Sequence, residues 1–404
     1  DINDVNGAFL TGSFSKGEVL YMKVPKAFEK FYGCDVVLRL LKTIYGLVQS
    51  AYEYWRKLRK VFEKNQFERS KADPCLHFKW KDGQLQSWIS WVDDLLGIGR
   101  QEQLDETREA LKKDFTLDEI GELKEYVGCK IEFDREAGSI KMLQPVLLQS
   151  LRDEFDIPNR KAPSTPGVPN ATLESKGEPL NAKEHGMYRK GVGKLNHMVK
   201  FSRPEMGNSV RELARYGSAP CDEHYKAMIR AMHYALGTED RGLILKPNAK
   251  WDGSRDFEFT IHGVSDSDFA KDKSTRLSVS GRAVYLNGAP YVRKSKMQPF
   301  VTMSVMEAEC VAAAMTIQDM IYGWNLLRSM GLKVKLPMKL KMDNRGGRDF
   351  LNNWNMSTAT RALAVRFAWI RELREEGVID IDWISTNDNE ADLFTKNLDV
   401  DGFK

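Results

Sequence analysis

The sequence predicts an α+β chain of more than one domain, on three observations. Alternating runs of the kind a half-buried strand needs, such as DFEFTIHGVSDSD and MKLKMDN, stand beside long runs with helical spacing, such as SVMEAECVAAAMTIQDMIYGWNLLRSMGL. A proline-dotted polar stretch, DIPNRKAPSTPGVPNATLESKGEPLNAKEH, resists regular structure and reads as a long surface connection. A length of 404 residues also exceeds what one hydrophobic core usually supports. The boundaries expected are 1–155, 156–250 and 251–404.

Within 1–155, short strand-like runs mix with helical ones; in SAYEYWRKLRKVFEKNQF, Tyr52, Trp55, Leu58 and Phe62 recur at helical spacing. The run SWISWVDDLLGIGR places Asp93 and Asp94 between two apolar segments. From Met187 to about Gly242 the pattern is helical, broken at Arg203-Pro204 and Ala219-Pro220, and shows no chemistry of its own. After Trp251 strands return. SVSGRAVYLNGAPYVRKS is a hairpin turning on Asn287-Gly288, the dipeptide a tight primed turn prefers. Ser304 and Glu307 stand in capping-box spacing at the head of a long apolar helix closed by Gly331.

Composition removes several classes. With 42% hydrophobic and 29% charged residues the chain reads as globular, and it holds no run of about eighteen apolar residues, which argues against a membrane span; no membrane is expected among its partners. No cationic segment followed by an apolar core opens it, so secretion is not expected. The five cysteines (Cys34, Cys75, Cys129, Cys221, Cys310) form no CxxC pair, and the six histidines are scattered, so neither a disulfide frame nor a His/Cys metal site is expected. A net charge of +4 is too small to establish a nucleic-acid partner by itself. The chain opens mid-pattern at Asp1, as a piece of a longer polypeptide would.

The chemistry lies in acids. Strands that run apolar and stop on Asp deliver carboxylates to one sheet edge, where they can converge on divalent ions; two Mg²⁺ ions so held can stabilise both oxygens of a phosphoryl transfer. One candidate set is Asp4, Asp93 and Asp94; the other is Asp266, Glu309, Asp343 and Asp392. Taken singly these residues also fit polar turns, helix caps and solvated faces, and Asp268 and Asp272 compete with Asp266 in register.

The ordered blocks DVNGAFLTGSF, GEVLYMKVPKAF, LLKTIYGLVQSAYEYW, DPCLHF, WVDDLLGIG and LDEIGELKEYVGCKIEF resemble the reverse transcriptase of copia-type LTR retrotransposons. YRKGVGKLNHM, GVSDSDFAKDKSTRLSVSG, SVMEAECVAA, MDN and NEADLFTK resemble the remainder of the same Pol polyprotein, including its ribonuclease H. The resemblance implies a partial right-hand polymerase palm and start of thumb over 1–155, lacking fingers strands upstream. It implies a linker and helical thumb or connection over 156–250, and a ribonuclease H-like domain with a mixed five-stranded sheet over 251–404.

The resemblance further assigns Asp4, Asp93 and Asp94 to the polymerase site and Asp266, Glu309, Asp343 and Asp392 to the ribonuclease site, each set holding two Mg²⁺ (or Mn²⁺) ions. Phe9 matches the aromatic gate against a ribose 2′-hydroxyl, Gln49 a residue near nucleotide and template, and Gly128 the primer-grip hairpin. Trp91 stands beside the primer terminus where the family usually has Tyr, and STATRALAVRFAWIRE has no histidine where the family has a histidine-rich stretch. Expected partners are an RNA template, a DNA or RNA primer, the RNA–DNA hybrid, dNTPs, and the integrase and protease parts of the polyprotein. The expected location is a cytoplasmic virus-like particle, with later nuclear entry of the product. Two further readings are a decayed or co-opted copy that binds nucleic acid without catalysis, and a structural domain whose acids are surface turns.

Overall fold

The computed structural model describes residues 1–33, 35–353 and 367–403, so Cys34 and 357–366 of the histidine-free stretch lie outside the described residues. The chain forms two compact units, one made of Asp1–Leu123, Asp252–Phe257 and Arg328–Gly331, the other of Lys124–Trp251, Glu258–Leu327 and Leu332–Lys404. Among the described residues no helix is long and apolar enough to cross a membrane.

In the first unit, β1 (Ile2–Val5) and β4 (Glu68–Arg69) to β8 (Leu117–Gly121) make a six-stranded sheet in the order β4-β5-β6-β7-β1-β8, with β5 Leu76–Lys81, β6 Gln84–Trp91 and β7 Asp94–Ile98. Every pairing is antiparallel. A separate hairpin joins β2 (Tyr21–Lys23) to β3 (Val37–Arg39), with the short α1 (Glu29–Tyr32) between them. Helices α2 (Ser50–Lys64) and α3 (Gln101–Lys112) supply Tyr54, Leu58, Phe62, Leu104 and Leu111 to a core with Val5, Trp88 and Leu95. Each such burial contributes about 1.5–3 kcal/mol. The α2 face differs in part from the expected stripe. Leu58 and Phe62 are buried as expected, but Tyr54 and Val61 complete the face, while Tyr52 is exposed and its ring lies 5.9 Å from that of Trp55 on the helix flank. Aromatics at helical spacing fit either side of a helix, and here the guanidiniums of Arg59 and Arg69 over Trp55 favour the outer one.

In the second unit, β9 (Glu125–Tyr126), β10 (Cys129–Asp134), β11 (Ser139–Leu143) and β12 (Leu243–Leu245) form a small sheet. Helices α4 (Pro145–Glu154), α5 (Ala182–Phe201), α6 (Gly207–Arg215) and α7 (Asp222–Gly237) pack around Leu151, Tyr188, Leu195, Val210, Met228 and Met232. The breaks fall at the two expected prolines, but α5 starts at Ala182 rather than near Met187. Asn181 accepts from the backbone of Lys183 and Glu184, and Glu184 accepts from the Asn181 N–H, so a capping box adds more than a turn.

The mixed five-stranded sheet expected after Trp251 is present in the same unit. β14 (Ile261–Asp268), β15 (Val279–Leu286) and β16 (Ala289–Met297) run antiparallel, and β18 (Met338–Met342) and β19 (Ile379–Trp383) join β14 in parallel. The short β13 (Glu258–Phe259) and β17 (Lys333–Val334) pair in parallel beside it. Asn287 and Gly288 turn the hairpin, both with positive φ. At the start of α8 (Val305–Ser329), Glu307 N–H donates to Ser304 Oγ at 3.1 Å, and the Glu307 carboxylate accepts from the Met303 N–H at 2.7 Å.

Candidate functional site

The first unit brings three sequence-predicted acids together by register. On β1, Asp4 stands opposite Asp94 of β7 on one side and Asp118 of β8 on the other, and Val5 N–H donates to the Asp93 carbonyl at 2.9 Å. Trp91 pairs with Asp94, which leaves Val92 and Asp93 as a two-residue turn. Val92 holds φ at +58°, a conformation that a β-branched residue adopts only when its surroundings impose it. The crowding is visible in the acids: partial burial and then Asp93 raise both Asp4 and Asp94 above the usual carboxylate range.

Around this set, Phe9 sits edge-on to Tyr45 and Tyr54, with ring centroids 5.3 and 6.3 Å away. The Tyr54 hydroxyl is buried without a hydrogen-bond partner, and burial followed by the Asp93 and Asp4 charges raises its pKa. Gln49 precedes α2, and its side-chain amide donates to Glu18 at 2.9 Å, so the group expected near a nucleotide is engaged within the protein. Trp91 is 53% exposed at the end of β6.

In the second unit, Gly128 and Val127, with φ of +75° and +46°, turn β9 into β10. A Cβ at Gly128 would lie 3.7 Å from the His197 ring. Gln144 and Ser202 orient that ring: Ser202 Oγ–H donates to Gln144 Oε1 at 2.7 Å, which leaves Gln144 Nε2 to donate to His197 Nδ1 at 2.6 Å.

The second acidic set is tighter. Asp266 near the end of β14, Glu309 on α8 and Asp343 just after β18 each offer an oxygen, and these lie within 4.8 Å of one another. Among the described residues it is the one such group; the oxygens of Asp4, Asp93 and Asp94 do not converge to that degree. Asp266 and Glu309 are 2% and 4% exposed, so neither charge is relieved by water. Burial, then Asp392 and Glu309, push Asp266 strongly upward. Burial, with a smaller contribution from Asp343, lifts Glu309 to about 8. The Ser267 N–H donates to Glu309 Oε1 at 3.3 Å, while Glu309 Oε2 is buried and unpartnered.

Asp392 stands just outside this group. Lys396 Nζ lies 3.0 Å from Asp392 and 3.7 Å from Asp266, and although burial alone would lower the lysine, the two aspartates hold it above its ordinary value. Sequence reasoning missed Lys396 and Thr395, whose hydroxyl donates to Asp266 Oδ2. The available signal was Gly281, which pairs with Asp266 across β14 and β15. A Cβ there would stand 2.5 Å from the Ala391 carbonyl, so its absence lets the 390–395 turn lie against the sheet. Asp268 pairs with Lys271, and Asp272 is held by Arg215 and Ser274, so both competing acids are occupied elsewhere.

The fold thus delivers two acidic sets, an aspartate pair on a hairpin facing a third aspartate and three acids gathered on a mixed sheet. Residues 2–169 match the family model described as reverse transcriptase (RNA-dependent DNA polymerase). The retrovirus-related Pol polyprotein from transposon TNT 1-94 of Nicotiana tabacum is 28% identical over 97% of this chain and 29% of its own length. That from transposon RE2 of Arabidopsis thaliana is 30% identical over 98% and 26%. The chain belongs to the retrovirus-related Pol polyproteins of copia-type transposons, and it spans little more than a quarter of these relatives' length. A solved structure of LC11-RNase H1 from compost is 17% identical over 33% of this chain and 91% of its own, with a TM-score of 0.26, too slight a likeness to add to the assignment.

Proposed function

We propose that the chain carries the two activities of a retrotransposon reverse transcriptase: RNA-templated DNA synthesis from dNTPs at Asp4, Asp93 and Asp94, and hydrolysis of RNA in RNA–DNA hybrids at Asp266, Glu309, Asp343 and Asp392. The observation that carries this reading is the convergence of Asp266, Glu309 and Asp343 oxygens within 4.8 Å. Like charges so close and so little hydrated are costly unless a cation joins them. The donor set fits a hard divalent ion, being all carboxylate oxygen with one buried, unpartnered oxygen on Glu309. Two Mg²⁺ or Mn²⁺ ions per site would neutralise charge developing on the reacting phosphate.

The chain's own residues supply the positioning. Thr395 fixes the Asp266 carboxyl, the Ser267 N–H fixes that of Glu309, and Lys396 places a positive charge against Asp392. The polymerase reading is favoured by the Asp4–Asp94 register. In it Phe9, backed by Tyr54, gates the sugar, Trp91 borders the primer terminus, Gln49 lies by the nucleotide and the Gly128 turn grips the primer. By role, 1–155 is palm and start of thumb, 156–250 linker and connection, and 251–404 ribonuclease H. The partners are template, primer and hybrid, with integrase and protease parts in the same polyprotein. The setting is a cytoplasmic particle whose DNA product enters the nucleus.

The test uses the purified chain, Mg²⁺ or Mn²⁺, a labelled RNA–DNA hybrid and a labelled primer-template. Asp343→Asn is expected to abolish hybrid cleavage, and Asp93→Asn to abolish primer extension with template-primer binding kept. Cleavage undiminished in Asp343→Asn rejects the nuclease assignment. A parent chain that binds hybrid and performs neither reaction selects the co-opted, non-catalytic alternative.

A further inference from the structure

The proline-dotted stretch and the helices after it showed no chemistry in the sequence, yet between them the structure holds a cavity of about 570 Å³. One wall is a single face of α7, where Tyr225, Lys226, Ile229, Arg230 and His233 recur at helical spacing; the other is the connecting segment with Pro158, Arg160, Lys161 and Pro163. Four fixed cations and a histidine line it, and among the described residues no carboxylate does. Lys226 is satisfied by Asp222 at 2.7 Å, but Arg160 and Lys161 make no ion pair among the described residues.

Arg230 is the deeper group. Its Nη2 donates to the Thr165 carbonyl, the Thr165 hydroxyl and the Gly167 carbonyl at 3.2–3.3 Å, all neutral acceptors, and its Nε is buried with no partner. Burial and the neighbouring Arg160 both disfavour its charge, which an anion between the two guanidiniums would reverse. His233 Nε2 meets the Arg160 carbonyl at 2.9 Å, which ties the connecting segment to α7 and keeps the cations facing one space.

From this arrangement we infer that the cavity is a binding site for a nucleotide, its phosphate between Arg160, Lys161 and Arg230 and its base on the apolar surface of Tyr225, Ile229 and the two prolines. The volume is in the range of small-ligand pockets, and a guanidinium that meets only neutral acceptors within the protein is suited to phosphate oxygens. Neither acidic set takes part, so the site stands whether or not the polymerase and nuclease reading holds.

The experiment titrates the purified chain in EDTA with a fluorescent nucleoside monophosphate, the matching nucleoside, and a labelled single-stranded oligonucleotide. Loss of a charge-assisted phosphate contact corresponds to roughly a tenfold or greater weakening. The nucleoside is therefore expected to bind at least ~10-fold more weakly than the monophosphate, and Arg160→Ala/Lys161→Ala to weaken the monophosphate by ~10-fold. Both substituted residues are exposed, so the melting curve should be unchanged; Arg230→Gln adds a deeper probe whose folding the same curve checks. The Asp93→Asn and Asp343→Asn chains are expected to bind as the parent does. Binding of the oligonucleotide alone, lost in the double variant, supports the site with a strand's nucleotide as occupant. Equal binding of nucleoside and monophosphate, no binding of either phosphate-bearing probe, or an undiminished double variant overturns it.

Discussion

Replacing Asp266 by Asn should stabilise the metal-free chain while ending its response to divalent ions. At 4.8 Å and an effective dielectric of about 20, two full charges repel by roughly 3.5 kcal/mol. Asp266 faces two such neighbours at 2% exposure, and protons taken up by the set relieve part of the repulsion. Asparagine has nearly the same shape and still accepts from Thr395, so the loss of charge is the main change. A gain of about 2 kcal/mol at pH 8, or roughly 5 °C in melting temperature, follows. The sign with pH is fixed by linkage. A carboxyl whose folded pKa is raised binds its proton more tightly when folded, so stability is greatest below the unfolded value and falls as pH rises toward the folded one. Glu309, lifted from 4.5 to about 8, sets that window, and Asp266 shifts the same way. Thermal melts in EDTA from pH 5 to pH 8 should therefore show the parent losing stability and Asp266→Asn losing less; added Mg²⁺ should raise the parent only. A variant less stable than the parent at pH 8 in EDTA, or one with the parent's full Mg²⁺ response, would refute the reasoning.

Two other substitutions test how the acids are delivered. Gly281→Ala places a methyl 2.5 Å from the Ala391 carbonyl and 2.8 Å from Thr395 Cγ2, and forcing backbone apart in this way costs about 1–3 kcal/mol. We expect a lower melting temperature and loss of hybrid cleavage, with hybrid binding retained in a gel-shift assay. Val92→Gly removes a β-branched residue from φ +58° at the Asp93 turn, and urea denaturation should show the first unit about 0.5–1 kcal/mol more stable after the cost of glycine's freedom in the unfolded chain.

Local signals were legible in the sequence, and pairings between distant segments were not. The Asn287-Gly288 turn, the Ser304 cap and the proline breaks around α6 lie within a few residues of the atoms they govern, and each appears where expected. The exposed flank of α2 was hidden because spacing identifies a stripe but not the side of it that meets a sheet. The connecting segment looked featureless because its order comes from remote partners. Arg230 binds Thr165 and Gly167, and Asn397 takes the Asn170 N–H on its carbonyl and donates its side-chain amide to the Ala171 carbonyl. Thr395 and Lys396 were in plain view within NEADLFTK, but only the close approach permitted by Gly281 turns them toward Asp266.

The two acidic sets differ in a way that follows from how the chain delivers them. Asp93 and Asp94 are adjacent, so β alternation must send one of them off the strand, and the turn accommodates this with Val92 strained and Asp93 half-exposed. Repulsion there is relieved by spreading into water. Asp266, Glu309 and Asp343 come from a strand, a helix and a strand end, each anchored by its own packed element, so they cannot spread. Their relief is protonation, a lysine at the margin, or a bound cation. The buried set should therefore respond to divalent ions with a large gain in stability, and the hairpin set with little gain until a nucleotide's phosphates complete it.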